Sequence, residues 1–475
     1  MARRAWSLKR SLDARSETSH AFSLPALSHV ADFTAATPGV GWGDHVRAVE
    51  AELANIEARI NDSCFALYGI DEEDRQAITE GFGRGSSGLQ PAELGEVDAE
   101  DTDEEEEESE AGADTATLVA ELVSWAVGVA FGRFDVRLAT GQRALPTEPE
   151  PFDPLPICSP AMLTSDDGLP LTCPPAGYQL SFPEGGVLVD DPGHPRDLTA
   201  AVRAVFELVF GSGADALWQE AAAILDPRDH DMRRWLTSGF FDHHLRHHSE
   251  SRRKAPILWQ LSIPSGRYSI WCYAHRMTRD SLFAIQNEVV ASKLAHEERR
   301  LSSFVTDADH TPSAPVRAQI ADQDSLVAEL RVMLDEVRRA APLWNPDLDD
   351  GIVLVMAPLW RLAPTHKAWQ RELRAKWDDL VTGKYDWAHL AMHLWPERVI
   401  PKCATDRSLA IAHDLEDVFW VEGPGGKWTP RPSPTQAMGE LVATRTSPAV
   451  KAALASLLQV PALPTTSETR HKKPG

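Results

Sequence analysis

The sequence lacks long apolar runs and paired cysteines. Its longest apolar stretch, 118–131, is interrupted by Glu121 and Ser124 and falls short of the ~20 residues that a membrane helix needs. The five cysteines are far apart and include no CxxC pair, which gives no support to a zinc knuckle or a disulfide framework. The basic N-terminus is not followed by the apolar segment of a secretory signal. We therefore expect a reduced, cytoplasmic protein with no membrane partner.

Catalytic motifs are also missing. The sequence contains no GxxxxGK[ST] phosphate loop, no GxSxG elbow, no HExxH helix and no GxGxxG turn after a strand. The nearest match to the Asn-Pro-Pro-Tyr loop of amino methyltransferases begins at Cys173 and reads CPPAGY. It lacks the polar first residue that would hold a target amino group, and its aromatic residue is displaced by two. We interpret it as a proline-rich turn and predict neither a catalytic residue nor a bound cofactor in this chain.

Negative charge is abundant but unevenly distributed. The formal net charge of the 475 residues is −24, and half of it comes from the run between Glu96 and Asp114, which holds twelve acidic residues and no basic one. Self-repulsion and the lack of apolar side chains predict a disordered linker there. A DNA-mimicking or partner-binding arm is the less economical interpretation. The average charge therefore does not exclude a nucleic-acid-binding surface elsewhere in the chain.

Hydrophobic periodicity predicts an α+β fold, predominantly helical, with small antiparallel hairpin elements and long proline-rich connectors, the longest at 141–186. The predicted domains are a helical module at 1–80 with an amphipathic helix at 44–68 capped by Asp44, the acidic linker at 81–114, a central mixed domain at 115–300, a C-terminal helical and mixed domain at 301–460, and a disordered tail at 461–475. The other main elements expected are helices at 115–131, 198–210, 214–225, 325–341 and 366–380, and strands at 186–190, 257–261, 267–275 and 352–356.

A basic segment gives the best local indication of function. Residues 233–300 carry twelve basic and six acidic residues, a net charge of +6, and the aromatic side chains of a predicted hairpin lie among them. Lysines and arginines that contact phosphates release counterions, so such a surface would bind DNA in a salt-dependent way. The alternative is that the aromatics form the hairpin core and the bases only solvate the surface. The candidate DNA-binding residues are Arg252, Arg253, Lys254, Arg267, Tyr268, Arg276 and Arg279. A second segment, 361–402, is less basic, with a net charge of +3.

Two features suggest a metal site more weakly. The histidines of the FFDHHLRHHS segment, His243, His244, His247 and His248, form pairs four residues apart that would share a helix face. Neighbouring arginines would repel a cation, so we favour a polar helix surface. Asp190 and Asp191 end a predicted strand, but no acidic-x-Lys pair follows on the next strand as in metal nucleases. A turn followed by a helix capped by Asp197 explains them better.

Several segments resemble one protein family in the same order along the chain. They read SLDARSETSHAFSLPAL, ALYGIDEEDR, GGVLVDDPGHPRDL, SRRKAPILWQLSIPSGRYSIWCYAHRMTRDSLF and WDDLVTGKYDWAHLAMHLWPERVIPKCATDRSLAIAHDLEDVFW. Together they are similar to the C-terminal region of large adenine-specific DNA methyltransferases of bacterial phage defence, the BREX-type (PglX-like) and DISARM-type enzymes, which are related to single-chain restriction–modification proteins. The HHLRHH cluster departs from the mixed polar and basic residues usual in that family.

The resemblance implies a division of labour. In that family the first half binds S-adenosylmethionine and carries the catalytic loop, and this chain matches the region behind it. We therefore expect a DNA-recognition and complex-assembly part, with S-adenosylmethionine on a separately encoded catalytic half and double-stranded DNA as a partner. The alternatives are a truncated, inactive remnant, a scaffold that joins defence subunits without touching DNA, and a metal nuclease that uses the histidines or Asp190 and Asp191.

Overall fold

The computed structural model is mainly helical with three small antiparallel sheets, so the predicted α+β class is confirmed. The structure describes residues 1–29, 38–71, 74–76, 78, 115–250, 253–308 and 312–459. The acidic run and the C-terminal tail lie outside these ranges, and their disorder stays a prediction. Within the described ranges, helices that combine the length and the apolar character of a membrane span are absent.

The helices are short except for α2, α3, α10, α11 and α13. In chain order they are α1 (Ala2–Asp13), α2 (Pro38–Tyr68), α3 (Thr115–Ala130), α4 (Val136–Ala139), α5 (Leu198–Phe210), α6 (Ala214–Leu225), α7 (Met232–Ser238), α8 (Phe240–His247), α9 (Ser281–Ala284), α10 (Ala291–Asp307), α11 (Ala314–Ala340), α12 (Ile352–Met356), α13 (Lys367–Thr382), α14 (His389–Leu394), α15 (Pro396–Cys403), α16 (Arg407–Ala412), α17 (Glu416–Phe419), α18 (Met438–Arg445) and α19 (Pro448–Gln459). A π-helical stretch, Ile285–Val290, joins α9 to α10.

The chain divides into two compact units. The first contains residues 1–129, 133–171 and 206–230, and the second contains residues 130–132, 172–205 and 231–475, as far as each range is described. In the first unit, Leu8 of α1 packs against Val49 and Ile56 of α2. The amphipathic helix predicted for 44–68 is therefore present, but it begins earlier, at Pro38, so Asp44 lies within the helix and does not cap it.

The proline-rich connector is irregular, as predicted. Between residues 141 and 183 the backbone forms no helix and no extended strand, only an isolated bridge within the connector and one from Met162 back to Phe134. Proline fixes φ and removes a hydrogen-bond donor, so a chain this rich in proline cannot sustain either regular element. Three large apolar side chains project from it into solvent: Phe152, Leu155 and Ile157 are 99%, 72% and 71% exposed.

The main sheet lies in the second unit. The strands are β1 (Val187–Val189), β2 (Ser249–Glu250), β3 (Arg253–Lys254), β4 (Leu258–Ser262), β5 (Ser269–Tyr273), β6 (Trp420–Glu422) and β7 (Trp428–Pro430). The order β1-β5-β4 is antiparallel throughout, and β2 pairs with β3 and β6 with β7. Every residue of β1, β4 and β5 is buried, so the sheet is covered on both faces. The hairpin aromatics are core residues, as the alternative interpretation of the basic segment held.

One predicted strand is wrong. Residues 352–356, read as a strand after the Asp350-Gly351 turn, form helix α12. A five-residue apolar run fits a buried helix as well as a buried strand, because periodicity alone does not separate them. Here Gly351, at φ 87°, begins the turn into the helix, and Pro358 follows within the next helical segment. The run buries Leu354, Val355 and Met356, three consecutive residues, so this short helix is enclosed on more than one side.

The C-terminal part of the second unit has a core of its own. It joins α13, α14, α15, α17 and α19 through fully buried side chains such as Leu380, Leu390, Val399, Phe419 and Leu454. Each such side chain stabilises the fold by roughly 1.5–3 kcal/mol relative to exposure. On α13 the apolar face is narrow, so the rest of that helix remains available for surface charges.

Candidate nucleic-acid interface

Two of the predicted DNA-binding residues are held in ion pairs within the protein. The Lys254 Nζ atom lies 2.7 Å from Oε2 of Glu372, and both side chains are partly buried. The Arg267 Nη1 atom lies 2.9 Å from Oδ1 of Asp322, and its Nη2 atom lies 4.0 Å from Glu329. These carboxylates neutralise the two bases locally and reduce what each could contribute to a phosphate contact.

Tyr268 is not a surface residue. Its side chain is 1% exposed, and burial raises the pKa of its hydroxyl, with Asp191 and Asp190 adding to the effect. The Lys293 Nζ atom sits 5.6 Å above the ring centroid. A tyrosine enclosed in this way cannot stack on a nucleic-acid base, so we remove it from the candidate interface.

The remaining candidates differ in their surroundings. The Arg276 guanidinium lies 4.7 Å from the Phe182 ring centroid and donates a 3.3 Å hydrogen bond to the Gly132 carbonyl oxygen, and burial lowers its pKa. Its role is to hold a loop in place. Arg279 is exposed, and no acidic side chain pairs with it among the described residues. Arg252 lies outside the described residues, and Arg253 is described by its backbone, which pairs with Glu250 in the β2–β3 hairpin.

The second basic segment supplies an exposed basic face. Helix α13 buries Trp369, Leu373 and Trp377 against the core. Lys367, Arg371 and Arg374 are spaced by four and three residues on another side of the helix, and all three are exposed. Among the described residues, Arg374 is the one member of this group with an acidic side chain nearby, Asp378 at 3.9 Å, and it also lies 5.1 Å from the Trp360 ring centroid. We call Lys367, Arg371 and Arg374 the α13 basic face.

The structure brings the two basic segments together. Besides the Lys254–Glu372 ion pair, the Nδ1 atom of His366, just before α13, lies 2.9 Å from Oδ1 of Asp242 on α8. Its other ring nitrogen, Nε2, is 2.7 Å from Oε1 of Gln260 in β4. These contacts join residues more than one hundred positions apart. The start of α13 is therefore fixed beside α8 and the β4 strand, and the ion pair with Glu372 holds Lys254 against the same helix.

His243, His244 and His247 lie on α8, as their spacing predicted, and His248 is the residue that caps its C-terminus. The His243 and His247 rings stack 5.8 Å apart, and the His244 and His248 rings lie 4.1 Å apart. His244 is fully buried, and its Nε2 atom accepts hydrogen bonds from the backbone N–H groups of Ile257 and Leu258, at 3.1 and 3.0 Å. That nitrogen is occupied by the β4 backbone. Across the described part of the chain, no group of three or more His, Cys, Asp or Glu residues could hold a metal ion.

Asp190 and Asp191 are partners of basic side chains. The Arg233 guanidinium lies 2.6 Å from Asp197 Oδ2 and 2.6 Å from Asp190 Oδ1, and the hydrogen bonds to these carboxylates raise its pKa despite burial. Asp191 is 2.7 Å from the Lys293 Nζ atom. Asp197 also caps α5, because its Oδ2 accepts the Ala200 N–H, as predicted. Ion pairing explains both aspartates without a metal.

Sequence reasoning missed which bases stay available. It placed the weight on residues 252–279, where Lys254 and Arg267 are ion-paired, whereas the exposed bases of α13 lie in the segment ranked second. The sequence does carry a signal for the α13 basic face. Trp369, Leu373 and Trp377 are spaced four residues apart and form the buried side of the helix, so the basic residues between them lie on the outer side. No protein-family model matches the sequence, and no curated protein resembles it significantly.

Proposed function

We propose that this protein is the DNA-recognition and complex-assembly part of a site-specific adenine N6 DNA methyltransferase system of bacterial phage defence or restriction–modification. It would work in the cytoplasm with a separately encoded catalytic half that binds S-adenosylmethionine. The support for the system is the collinear resemblance described above. The observation that supports DNA contact is the α13 basic face, whose three basic side chains are exposed on one side of the helix.

The chemistry of that surface suits the DNA backbone. Lysine and arginine contacts to phosphates set register and orientation on a duplex but read no sequence. Lys367, Arg371 and Arg374 follow one helix face over about two turns, so they can meet successive phosphates along one strand. The partner would then flip the target adenine into its own active site, a step that needs a firmly held duplex.

The proline-rich connector supports the assembly half of the proposal. Phe152, Leu155 and Ile157 expose most of their apolar surface, which is unusual for side chains of this size in one short segment. Prolines around them limit the backbone freedom that binding would remove, as in proline-rich recognition segments. We infer that this segment contacts a protein partner, namely the separately encoded catalytic half.

The test is duplex binding measured across salt concentration. Fluorescence anisotropy with a labelled duplex would compare the protein with a triple variant, Lys367→Gln, Arg371→Gln and Arg374→Gln. Three lost phosphate contacts should reduce the slope of log K against log salt by about 2.7, since each contributes about 0.9. The ratio of the wild-type affinity to the variant affinity should therefore be about 40-fold smaller at 200 mM salt than at 50 mM salt.

A second triple variant controls for net charge. Arg299→Gln, Arg317→Gln and Arg338→Gln remove three exposed bases from α10 and α11 and should leave the slope unchanged. If both triple variants lower the slope by the same amount, the effect comes from overall charge, and the proposal of a specific interface on α13 is contradicted. If the wild type binds no duplex at any salt concentration, alone or with the catalytic half, the scaffold function replaces DNA recognition.

A further inference from the structure

A cleft in the second unit gathers side chains that the proposed function does not use. Its volume is about 270 Å³. Arg279 comes from the loop after β5, His389 and His393 from α14, and Arg445 from the end of α18. His413 and the carboxylates of Asp347 and Asp414 also line it. Three histidines and two arginines around one small cleft form a concentration of hydrogen-bond donors.

The carboxylates behind His389 favour its protonated form. Oδ1 of the buried Asp350 accepts the His389 backbone N–H at 2.7 Å and lies 3.1 Å from Nδ1 of the same residue, and Oδ2 accepts the Leu390 N–H at 2.7 Å. Oδ2 of Asp347 is 3.6 Å from the same ring nitrogen. Partial burial acts to lower the pKa of His389, but the Asp350 hydrogen bond and the nearby aspartates raise it overall. With Nδ1 donating to Asp350, the other ring N–H of the imidazolium is left for the cleft.

Neither arginine is held in an ion pair among the described residues. Arg279 and Arg445 are exposed, and neither has an acidic side chain within ion-pair distance in the described ranges. Asp347 is already engaged, because its Oδ1 accepts the Asp349 N–H at 3.1 Å. Asp414 stands exposed on the rim. The guanidinium groups of Arg279 and Arg445 are therefore available to an anion that enters the cleft.

The other two histidines are neutral lining groups. Burial lowers the pKa of both His393 and His413. The His413 Nε2 atom lies 2.7 Å from the Asp386 carbonyl oxygen, and His393 Nε2 lies 3.3 Å from the Pro342 carbonyl oxygen. Each ring uses Nε2 as the donor, so its Nδ1 is an acceptor. Histidine acceptors beside three cationic donor groups match an oxyanion that carries a hydroxyl, such as hydrogen phosphate.

From this arrangement we propose that the cleft binds a phosphate group, as inorganic phosphate or as a small phosphate monoester, between Arg279, Arg445 and His389. The volume lies below the range of about 300–1,000 Å³ typical of pockets for larger organic ligands, which favours a compact anion. Charge-assisted hydrogen bonds from guanidinium and imidazolium groups are the strongest that proteins offer to such an anion. This proposal does not depend on duplex binding by α13.

The first test is calorimetric titration of the full chain with inorganic phosphate, sulfate and adenosine monophosphate. Arg279→Gln and Arg445→Gln should each weaken phosphate binding by tenfold or more, and Arg299→Gln should not change it. Asp414→Asn removes the rim carboxylate and should tighten binding. Adenosine monophosphate that binds at least as well as phosphate identifies a monoester site, and binding of inorganic phosphate alone identifies a site for the free anion.

The second test uses pH. Sulfate stays a dianion between pH 6 and 8, so any change in its affinity reports the protein. The charged and titratable groups around His389 are Asp347, Asp349, Asp350, His413, Arg279, Arg445, His393 and Asp414. Because a raised pKa keeps His389 protonated at the lower pH, sulfate should bind more weakly as pH rises, and His389→Gln should remove most of that dependence. Absence of phosphate binding, or affinity that Arg279→Gln and Arg445→Gln leave unchanged, would overturn the proposal, whatever the outcome with duplex DNA.

Discussion

We predict that His244 stabilises the fold as a hydrogen-bond acceptor for two backbone N–H groups. Replacing it with leucine leaves the backbone N–H groups of Ile257 and Leu258 without their partner at the start of β4. A buried donor without an acceptor costs about 1–3 kcal/mol. Leu258 is fully buried and Ile257 partly so, which gives a loss of about 2–5 kcal/mol for His244→Leu. His244→Gln places an amide oxygen close to the position of Nε2 and should recover about half of that loss.

Urea unfolding followed by tryptophan fluorescence measures the effect, because Trp259 and Trp271 lie in the same sheet. With a slope of about 2 kcal/mol per molar urea, His244→Leu should lower the midpoint by about 1–2.5 M. His247→Leu, on the same helix, is the matched control and should stay within about 0.5 kcal/mol of the wild type. Hydrogen exchange at the Ile257 and Leu258 amides gives a second measurement on the His244→Gln variant. If glutamine is as damaging as leucine, or if leucine is harmless, the acceptor argument is wrong.

Two further stability predictions concern buried charges. Burial, with help from Glu17, raises the pKa of Glu121 from 4.5 to about 7. The stability that accompanies the protonated carboxyl is therefore complete below its ordinary pKa and is lost as pH rises through 7. Glu121→Gln should stabilise the protein by about 3 kcal/mol at pH 8 and have little effect at pH 5, as measured by urea titrations at the two pH values. Arg361 and Glu336 form a 2.9 Å ion pair with both side chains 5% exposed. Arg361→Met alone should cost about 3–5 kcal/mol, and adding Glu336→Gln should restore part of it; a double variant less stable than the single one would contradict this account.

Much of the fold follows from local pattern. Helices α5 and α6 begin and end at the predicted residues, and the β4–β5 hairpin lies within one or two residues of its prediction, because their apolar spacing and their caps agree. The strand predicted at 352–356 is wrong for the opposite reason, since a short run that is apolar throughout carries no periodicity. Helix α11 extends about three turns before its predicted start, over a polar stretch that has no apolar stripe to announce it.

The candidate site was less predictable. Sequence showed that bases cluster near the hairpin, but whether a base is free depends on partners that are distant in the chain. Lys254 meets Glu372 and Arg267 meets Asp322, and nothing local signals either contact. The cleft shows the same limit: the pair His389 and His393 has helical spacing, but Arg279 and Arg445 reach it from segments far before and after.

The order β1-β5-β4 has a consequence for how the second unit folds. Strands β4 and β5 are joined by a short turn at Gly266, so their pairing closes a small loop at little entropic cost. Strand β1 must find β5 across a long intervening stretch, pairing Val189 with Ile270. Because the longer loop costs more entropy to close, we expect the β4–β5 hairpin to form first and β1 to pair with β5 afterwards. A substitution in β1 should therefore speed unfolding with little effect on the refolding rate, whereas one in the hairpin should slow refolding.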